Sequence, residues 1–390
     1  MLLPDTFMGY LRPDGRVGVR NHILVLPVGP AANRAATLAR QMVPASVGIE
    51  WHQDVGPDVE GYELALRALL GFVDHPNVYA TVLVAVSAED PVLRDLAPRI
   101  PPHARTAIVT LDEAGGTRAA ADRAAAELGA WSREALGEER RPVEVRHLLL
   151  ATECGGSDAC SGLSANPSLG YAGDLLIERG GSSILAEIPE LIGAEQILAA
   201  RAATSDIGQR LVETVTHAEE SAMRLGEDFR GTQPAPGNIE GGITTIEEKS
   251  LGCVHKGGNS PLMDVVGYAE RPRVPGLTVM DTPGHDVMQL VGMAAAGAQV
   301  IVFTTGRGTP TGSPICPVIK VSTRSALARE LPALIDLDAG PIVDGHLDVS
   351  DVGQALYRKI VAVANGETVA AERNGHHEFG VFQGWEVGDA

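Results

Sequence analysis

A chain of 390 residues with 44% hydrophobic and 21% charged side chains holds enough material for two ordinary cores and is too apolar for disorder. Its formal charge of −19 excludes nonspecific nucleic-acid binding, which runs on clustered Lys and Arg, and means that an anionic substrate needs a locally positive pocket. No apolar run reaches the roughly 18 to 20 residues of a membrane span, and the first ten residues lack a signal-like core. Four cysteines form no disulfide framework, so a cytoplasmic protein with reduced thiols is expected.

Aromatic residues make up only 4% while Gly numbers 45, so the cores must be built from Ala, Val, Leu and Ile between tight turns. In chain order, β-branched runs at 22–28, 81–86, 106–111 and 145–151 alternate with Ala- and Leu-rich helical stretches, including 117–136. That alternation predicts a parallel sheet with helices on its faces. The segment 137–142, Gly-Glu-Glu-Arg-Arg-Pro, reads as a linker, which sets a first domain at 1–140 and a second, catalytic domain at 141–390. Further strands are expected at 183–187, 277–280, 299–304 and 318–322, with one or two amphipathic helices over 194–228. The fold class is α/β: two domains with mainly parallel sheets flanked by helices.

Chemistry concentrates at the strand ends of the second domain. The loop Cys154-Gly-Gly-Ser-Asp158, followed by Asn166, ends one strand and precedes a helix starting near Leu169, a position where open α/β sheets bind ligands. Cys154 and Asp158 can point into one site there. Glu187 and Glu190 flank Pro189 at the end of the next strand, as a hard divalent cation or a general base requires. Downstream, Gly237 to Lys249 forms a donor-rich turn with Lys249 able to neutralise a carboxylate, and Lys256-Gly-Gly-Asn259 repeats the theme. Asp281, His285 and Asp286 offer oxygen and nitrogen ligands around a Pro-Gly turn. Finally, Thr304, Thr305, Gly306 and Arg307 end another strand, and Lys320 lies on the next; together they suit a carboxylate.

In order and wording these segments resemble the altronate dehydratase and galactarate dehydratase family. The likeness runs from Met8-Gly-Tyr-Leu-Arg12 through Arg20-Asn21-His22, the Cys154 loop, Glu187 to Glu195, Gly237-Asn-Ile-Glu-Gly-Gly, Met280-Asp-Thr-Pro-Gly and Phe303-Thr-Thr-Gly-Arg-Gly. The resemblance implies a lyase that depends on a divalent metal, Fe(II) first, with Mn(II) or Mg(II) as alternatives. Such an enzyme dehydrates a small anionic hydroxy acid to a 2-keto-3-deoxy acid. It also implies a separate small subunit and an oligomer. The related sulfolactate sulfo-lyases, which expel sulfite, are the alternative; a non-catalytic anion-binding or regulatory subunit is the alternative from another class. Two first-domain segments depart from the family: His52-Gln-Asp-Val-Gly56 and Ser87-Ala-Glu89 lack the expected cysteines, and Glu153 stands where Gln is usual.

On that basis Cys154, Glu187 and His285 are the leading metal-ligand candidates, with Asp158 and Asp281 as alternates. Lys249, Glu190 and His22 are candidates for the base, while Asn166, Thr304, Thr305, Gly306, Arg307 and Lys320 hold the substrate. A cluster of iron and sulfur on Cys154, Cys253 and Cys316 is a second mechanism within the enzyme class.

Overall fold

The computed structural model describes residues 3–385 except residue 60; residues 1, 2, 60 and 386–390, and with them the outer ends of the two expected domains, lie outside the described residues. Two parallel sheets organise the chain. The smaller has the strand order Ser46–Gly48, His22–Pro27, Val78–Ala85, Thr106–Thr110. The larger runs Leu262–Val266, Leu277–Met280, Ser182–Leu185, Leu149–Cys154, Val300–Thr305, Val318–Ser322, Leu337–Asp338, with every neighbouring pair parallel. Helices flank both, so the architecture is α/β with two domains. Among the described residues no helix is long and apolar enough to cross a membrane.

Two local expectations are corrected. Residues 137–142 are not simply a linker: Arg141–Glu144 is a strand paired antiparallel with Thr6–Leu11, which also pairs with Val17–Gly18. Pro142 is tolerated because this strand lies at the edge of its small sheet. The run expected at 145–151 begins as a helical turn, Val145–His147, and the strand itself is Leu149–Cys154. Its end therefore carries Cys154 directly.

The order of the large sheet positions the site. From Leu149–Cys154 the chain first builds outward on one side, through Ser182–Leu185 to the edge, and then crosses over to lay Val300–Thr305 on the other side. The crevice where strand order reverses lies at the carboxyl ends of Leu149–Cys154 and Val300–Thr305, the expected ligand position in an open parallel sheet. Register also separates two faces there. Cys154, Thr304 and Val321 share one, and Glu153, Phe303 and Lys320 share the other.

The domains pack closely. Helix Tyr62–Val73 of the first lies against helix Asp286–Ala295 of the second, and a Cβ at Gly71 would fall 2.3 Å from the Ala295 carbonyl oxygen, so no larger residue fits this crossing. Near the C-terminus, Phe379 wedges edge-on between Trp51 and Phe72, with ring centroids 5.1 and 5.3 Å away. Phe382 meets Tyr268 in the same way at 5.6 Å. This segment thereby ties both domains together.

Candidate active site

Four potential ligand atoms, from Cys154, Glu187, Glu190 and Cys253, lie within 4.8 Å of one another, and all four residues are buried. Three elements bring them there. Cys154 ends the strand Leu149–Cys154. The neighbouring strand runs into Glu187, whose left-handed backbone (φ 71) turns the chain into the helical turn Ile188–Leu191 carrying Glu190. Helix Ile246–Val254 brings Lys249 and Cys253, and the turn His255–Gly257 adds Lys256. Thr245 caps that helix, its hydroxyl accepting from the Glu248 amide at 3.1 Å.

The contacts interlock. The Cys154 amide donates to Glu187 Oε1 at 2.8 Å, and the Cys154 thiol lies 3.6 Å from Glu187 Oε2 and 3.5 Å from Glu190 Oε2. The Cys253 thiol donates to Glu187 Oε2 at 3.1 Å. Lys256 is ion-paired with Glu187 and donates to Cys154 Sγ at 3.1 Å, while Lys249 Nζ sits 2.7 Å from Glu190 Oε1. Thr282 Oγ1 accepts from the Glu187 amide at 2.8 Å and holds the strained turn.

Protonation follows from these neighbours. Hydrogen bonding from Cys253 and the charges of Lys256 and Lys249 hold the Cys154 thiol well below its usual range despite burial, which favours the thiolate form. Cys253 moves the opposite way, through burial and its contact with Cys154, and stays a thiol. Burial and the Cys154 charge push Glu190 up to about 8, against the pull of Lys249. Burial works to lower Lys249, but Glu190, Cys154 and Cys253 together outweigh it and the net movement is upward. Glu190 therefore changes protonation close to neutral pH while Lys249 stays a cation beside it.

A cavity of ≈ 190 Å³ opens beside this cluster, lined by Cys154, Asp158, Asn166, Lys249 and His255 among others. Of the sequence candidates, Cys154, Glu187, Glu190 and Lys249 are brought together, and Asp158 and Asn166 reach the cavity wall. Both wall residues are engaged. Asp158 accepts from Arg324 Nε at 2.9 Å, Thr323 Oγ1 at 3.0 Å and the Cys160 amide at 3.0 Å. The Asn166 amide bridges Thr304 Oγ1 at 2.6 Å and the Gly252 carbonyl at 3.0 Å. Gly306 backs onto Asp158 so tightly that a Cβ would lie 2.3 Å from its Cγ, and Thr305 Oγ1 accepts from the Gly308 amide at 2.9 Å.

The remaining candidates are not among the four clustered ligand residues. Arg307 is half-exposed and paired with Glu240 at 3.0 Å. His285 is exposed at the start of helix Asp286–Ala295, and Asp281 accepts from Trp385 Nε1 at 3.0 Å. His22 lines a different cavity, and Cys316 donates to the Ala298 carbonyl at 3.1 Å. Lys320 lies on the opposite face of the sheet with its Nζ 4.1 Å from the Phe303 ring centroid, and burial pushes it down to about 7. Beside it, Glu153 is fully buried with both carboxylate oxygens unpartnered among the described residues, and burial raises it well above the usual range, so it is protonated.

Sequence reasoning noted the Lys256 turn as repeating the Lys249 theme but gave Lys256 no role, and it placed Cys253 only in an iron–sulfur alternative. A signal existed: Lys249, Cys253 and Lys256 are spaced i, i+4, i+7 and fall on one helical face. What spacing alone withheld was that this face meets Cys154.

The family described as D-galactarate/Altronate dehydratase, C-terminal, matches residues 145–387, and D-galactarate dehydratase/Altronate hydrolase, second domain, matches residues 9–136. Altronate dehydratase of Bacillus subtilis (strain 168) is 32% identical over 97% of this chain and 78% of its own length. The (2R)-sulfolactate sulfo-lyase subunit beta of Chromohalobacter salexigens is 34% identical over 96% of each chain. Galactarate dehydratase (L-threo-forming) of Escherichia coli (strain K12) is 37% identical over 63% of this chain and 47% of its own. With both domains matched and the Cys154 loop inside the larger match, the chain belongs to the D-galactarate/altronate dehydratase family.

Proposed function

We propose that the chain is a hydro-lyase that removes water from a sugar acid or related 2,3-dihydroxy acid, leaving a 2-keto-3-deoxy acid. The observation that carries this reading is the meeting, at the end of the strand bearing Cys154, of the Lys249–Glu190 ion pair with a buried cluster of cysteine and carboxylate side chains. Elimination needs one proton taken from carbon next to the substrate carboxylate and one delivered to the departing hydroxyl. Glu190 as carboxylate can take the first proton and then, as carboxylic acid, deliver it to the hydroxyl, so that water is the net product and Lys249 stays its cationic partner. Lys249 also lines the cavity as a cation and draws an anionic substrate into a strongly negative protein.

The donor chemistry of the cluster fits a divalent ion. Two sulfurs and one carboxylate favour a borderline-soft ion such as Fe(II) over Mg(II), and Cys154, Cys253 and Glu187 are the residues that would hold it. The Lys256 ammonium lies against Cys154 and Glu187 and competes for them. When bound, such an ion would polarise the substrate oxygen and stabilise negative charge next to its carboxylate.

The sulfo-lyase relative, matched over 96% of both chains, keeps a second reading open in which sulfite leaves instead of water. It is also named as a subunit, and we infer that this chain works with a smaller partner. The deciding assay offers a panel of hydroxy acids and sulfonated hydroxy acids to the chain, alone and with a co-expressed small partner, with Fe(II), Mn(II), Mg(II) or chelator. Release of 2-keto acid without sulfite is expected, strongest with Fe(II) and lost with chelator. Cys154→Ala and Glu187→Gln should lose bound metal and turnover together, whereas Glu190→Gln should lose turnover and keep metal. A chain that releases neither product under every condition is a binding subunit, and the lyase reading fails.

A further inference from the structure

A second cavity, of ≈ 260 Å³, lies away from the Cys154 centre, at the amino ends of strands His22–Pro27 and Ser46–Gly48. Its walls come from three distant parts of the chain: the first domain, the loop before strand Val318–Ser322, and the C-terminal segment around residues 372–377. The lining is imidazole-rich, with His22, His376 and His377 around one space together with Arg40 and Ser313. In a chain of formal charge −19 such a concentration is unusual.

The charges are arranged for an incoming anion. Glu372 is the only acid in the lining, and its carboxylate is taken by Arg20 in a two-pronged contact at 2.7 and 2.9 Å. His377 donates through Nδ1 to the Gly375 carbonyl, which leaves Nε2 as the acceptor for Arg40 Nη1 at 3.0 Å. That bond aims the guanidinium and uses one of its five N–H donors. Among the described residues, His376 Nδ1 is buried without a hydrogen-bond partner. An orphaned ring nitrogen and an under-used guanidinium in one lining are groups that a bound oxyanion would satisfy, with His376 carrying its proton on Nδ1. Arg40 lies in the last turn of helix Asn33–Met42, where the helix end contributes about half a negative charge; the full positive charge of the guanidinium exceeds it.

We propose that this cavity is a binding site for a small oxyanion, a carboxylate or a phosphate, held by Arg40 and His376 and separate from the Cys154 centre. Its volume is below the roughly 300–1,000 Å³ of pockets for drug-sized ligands, which suits a compact di- or tricarboxylate or inorganic phosphate. Because its walls join both domains and the C-terminal segment, occupancy stabilises their packing and raises the thermal midpoint with ligand concentration.

The test titrates the full chain with malonate, citrate and inorganic phosphate, each against a chloride control of equal ionic strength, followed by calorimetry and thermal unfolding. At least one anion should bind saturably, and which arm responds separates carboxylate from phosphate. Arg40→Ala should weaken that binding by about ten- to a hundredfold, the loss expected for a charged hydrogen-bonded contact. Cys154→Ala should leave it unchanged. Should Arg40→Ala fail to fold, Arg40→Lys, which keeps the charge and loses the fork, and His376→Ala provide the same comparison. No saturable binding of any of the three anions overturns the proposal. So does binding that survives both the Arg40 and His376 changes, or that disappears in Cys154→Ala.

Discussion

At the scale of single residues, Lys256 governs the electrostatics of the Cys154 cluster. It is 1% exposed, pairs with the fully buried Glu187 and donates to Cys154. Lys256→Met would leave a buried carboxylate without its cation, and the expected loss of stability in urea unfolding is about 3–5 kcal/mol. The same change removes a cation that stabilises the thiolate, so alkylation of Cys154 at neutral pH should slow; an unchanged rate would mean that Cys253 alone sets its reactivity. Asp281 supplies a pH dependence of the opposite kind to a surface ion pair. Burial pushes its carboxyl from 3.8 up to about 6, against the hydrogen bond from Trp385. Between those values the native state holds a proton that the unfolded chain has released, so this contribution is complete below about pH 4 and is lost as pH rises through 6. Its size is about 3 kcal/mol. Asp281→Asn keeps an acceptor for Trp385 and cannot titrate. The stability difference between the two proteins, measured from pH 4.5 to 7, should therefore shift against the wild type as pH rises.

At the scale of elements, the site depends on helix Ile246–Val254 being held in one rotation about its axis. Lys249, Cys253 and Lys256 fall on one face, and that face meets two strand ends. The Thr245 cap fixes where the helix starts, so Thr245→Ala is expected to cost about 1 kcal/mol of stability. It should lower kcat more than a surface substitution of equal thermodynamic cost, because the lost anchor lets the lysine and thiol shift against Glu190 and Glu187. The turn at Glu187 works similarly from the other side. Its left-handed backbone is unfavourable for a residue with a side chain, and it survives through the Thr282 hydroxyl and the contacts the carboxylate makes inside the cluster.

At the scale of the whole molecule, the C-terminal segment decides how firmly the two domains act as one. Phe379 is 5% exposed and its ring meets Trp51 and Phe72 of the first domain. Phe379→Ala should cost about 3–5 kcal/mol. If the segment couples the domains, the variant should unfold in two separated transitions where the parent shows one. A single shifted transition would mean that the helix crossing at Gly71 is sufficient for coupling.

Much of this was legible in the amino-acid sequence, for a local reason. Parallel strands buried on both faces read as β-branched runs, and the loops after them read as Gly-rich turns, so the α/β class and the strand ends bearing Cys154, Glu187 and Thr304 follow from neighbours along the chain. The edge strand Arg141–Glu144 escaped because its stability comes from pairing with Thr6–Leu11, far away in sequence. The site divides along the same line. Cys154, Glu187, Glu190 and Lys249 stand out by residue type, but nothing local separates them from Arg307, His285 and Asp281, which are not part of the buried cluster. Register decided that Lys320 and Glu153 face away from Cys154, since one step along a strand reverses the side. The sequence by itself thus determined the kind of protein and the loops that bear its chemistry. Which side chains share one buried space depended on contacts between residues distant along the chain, and only the tertiary structure decided that.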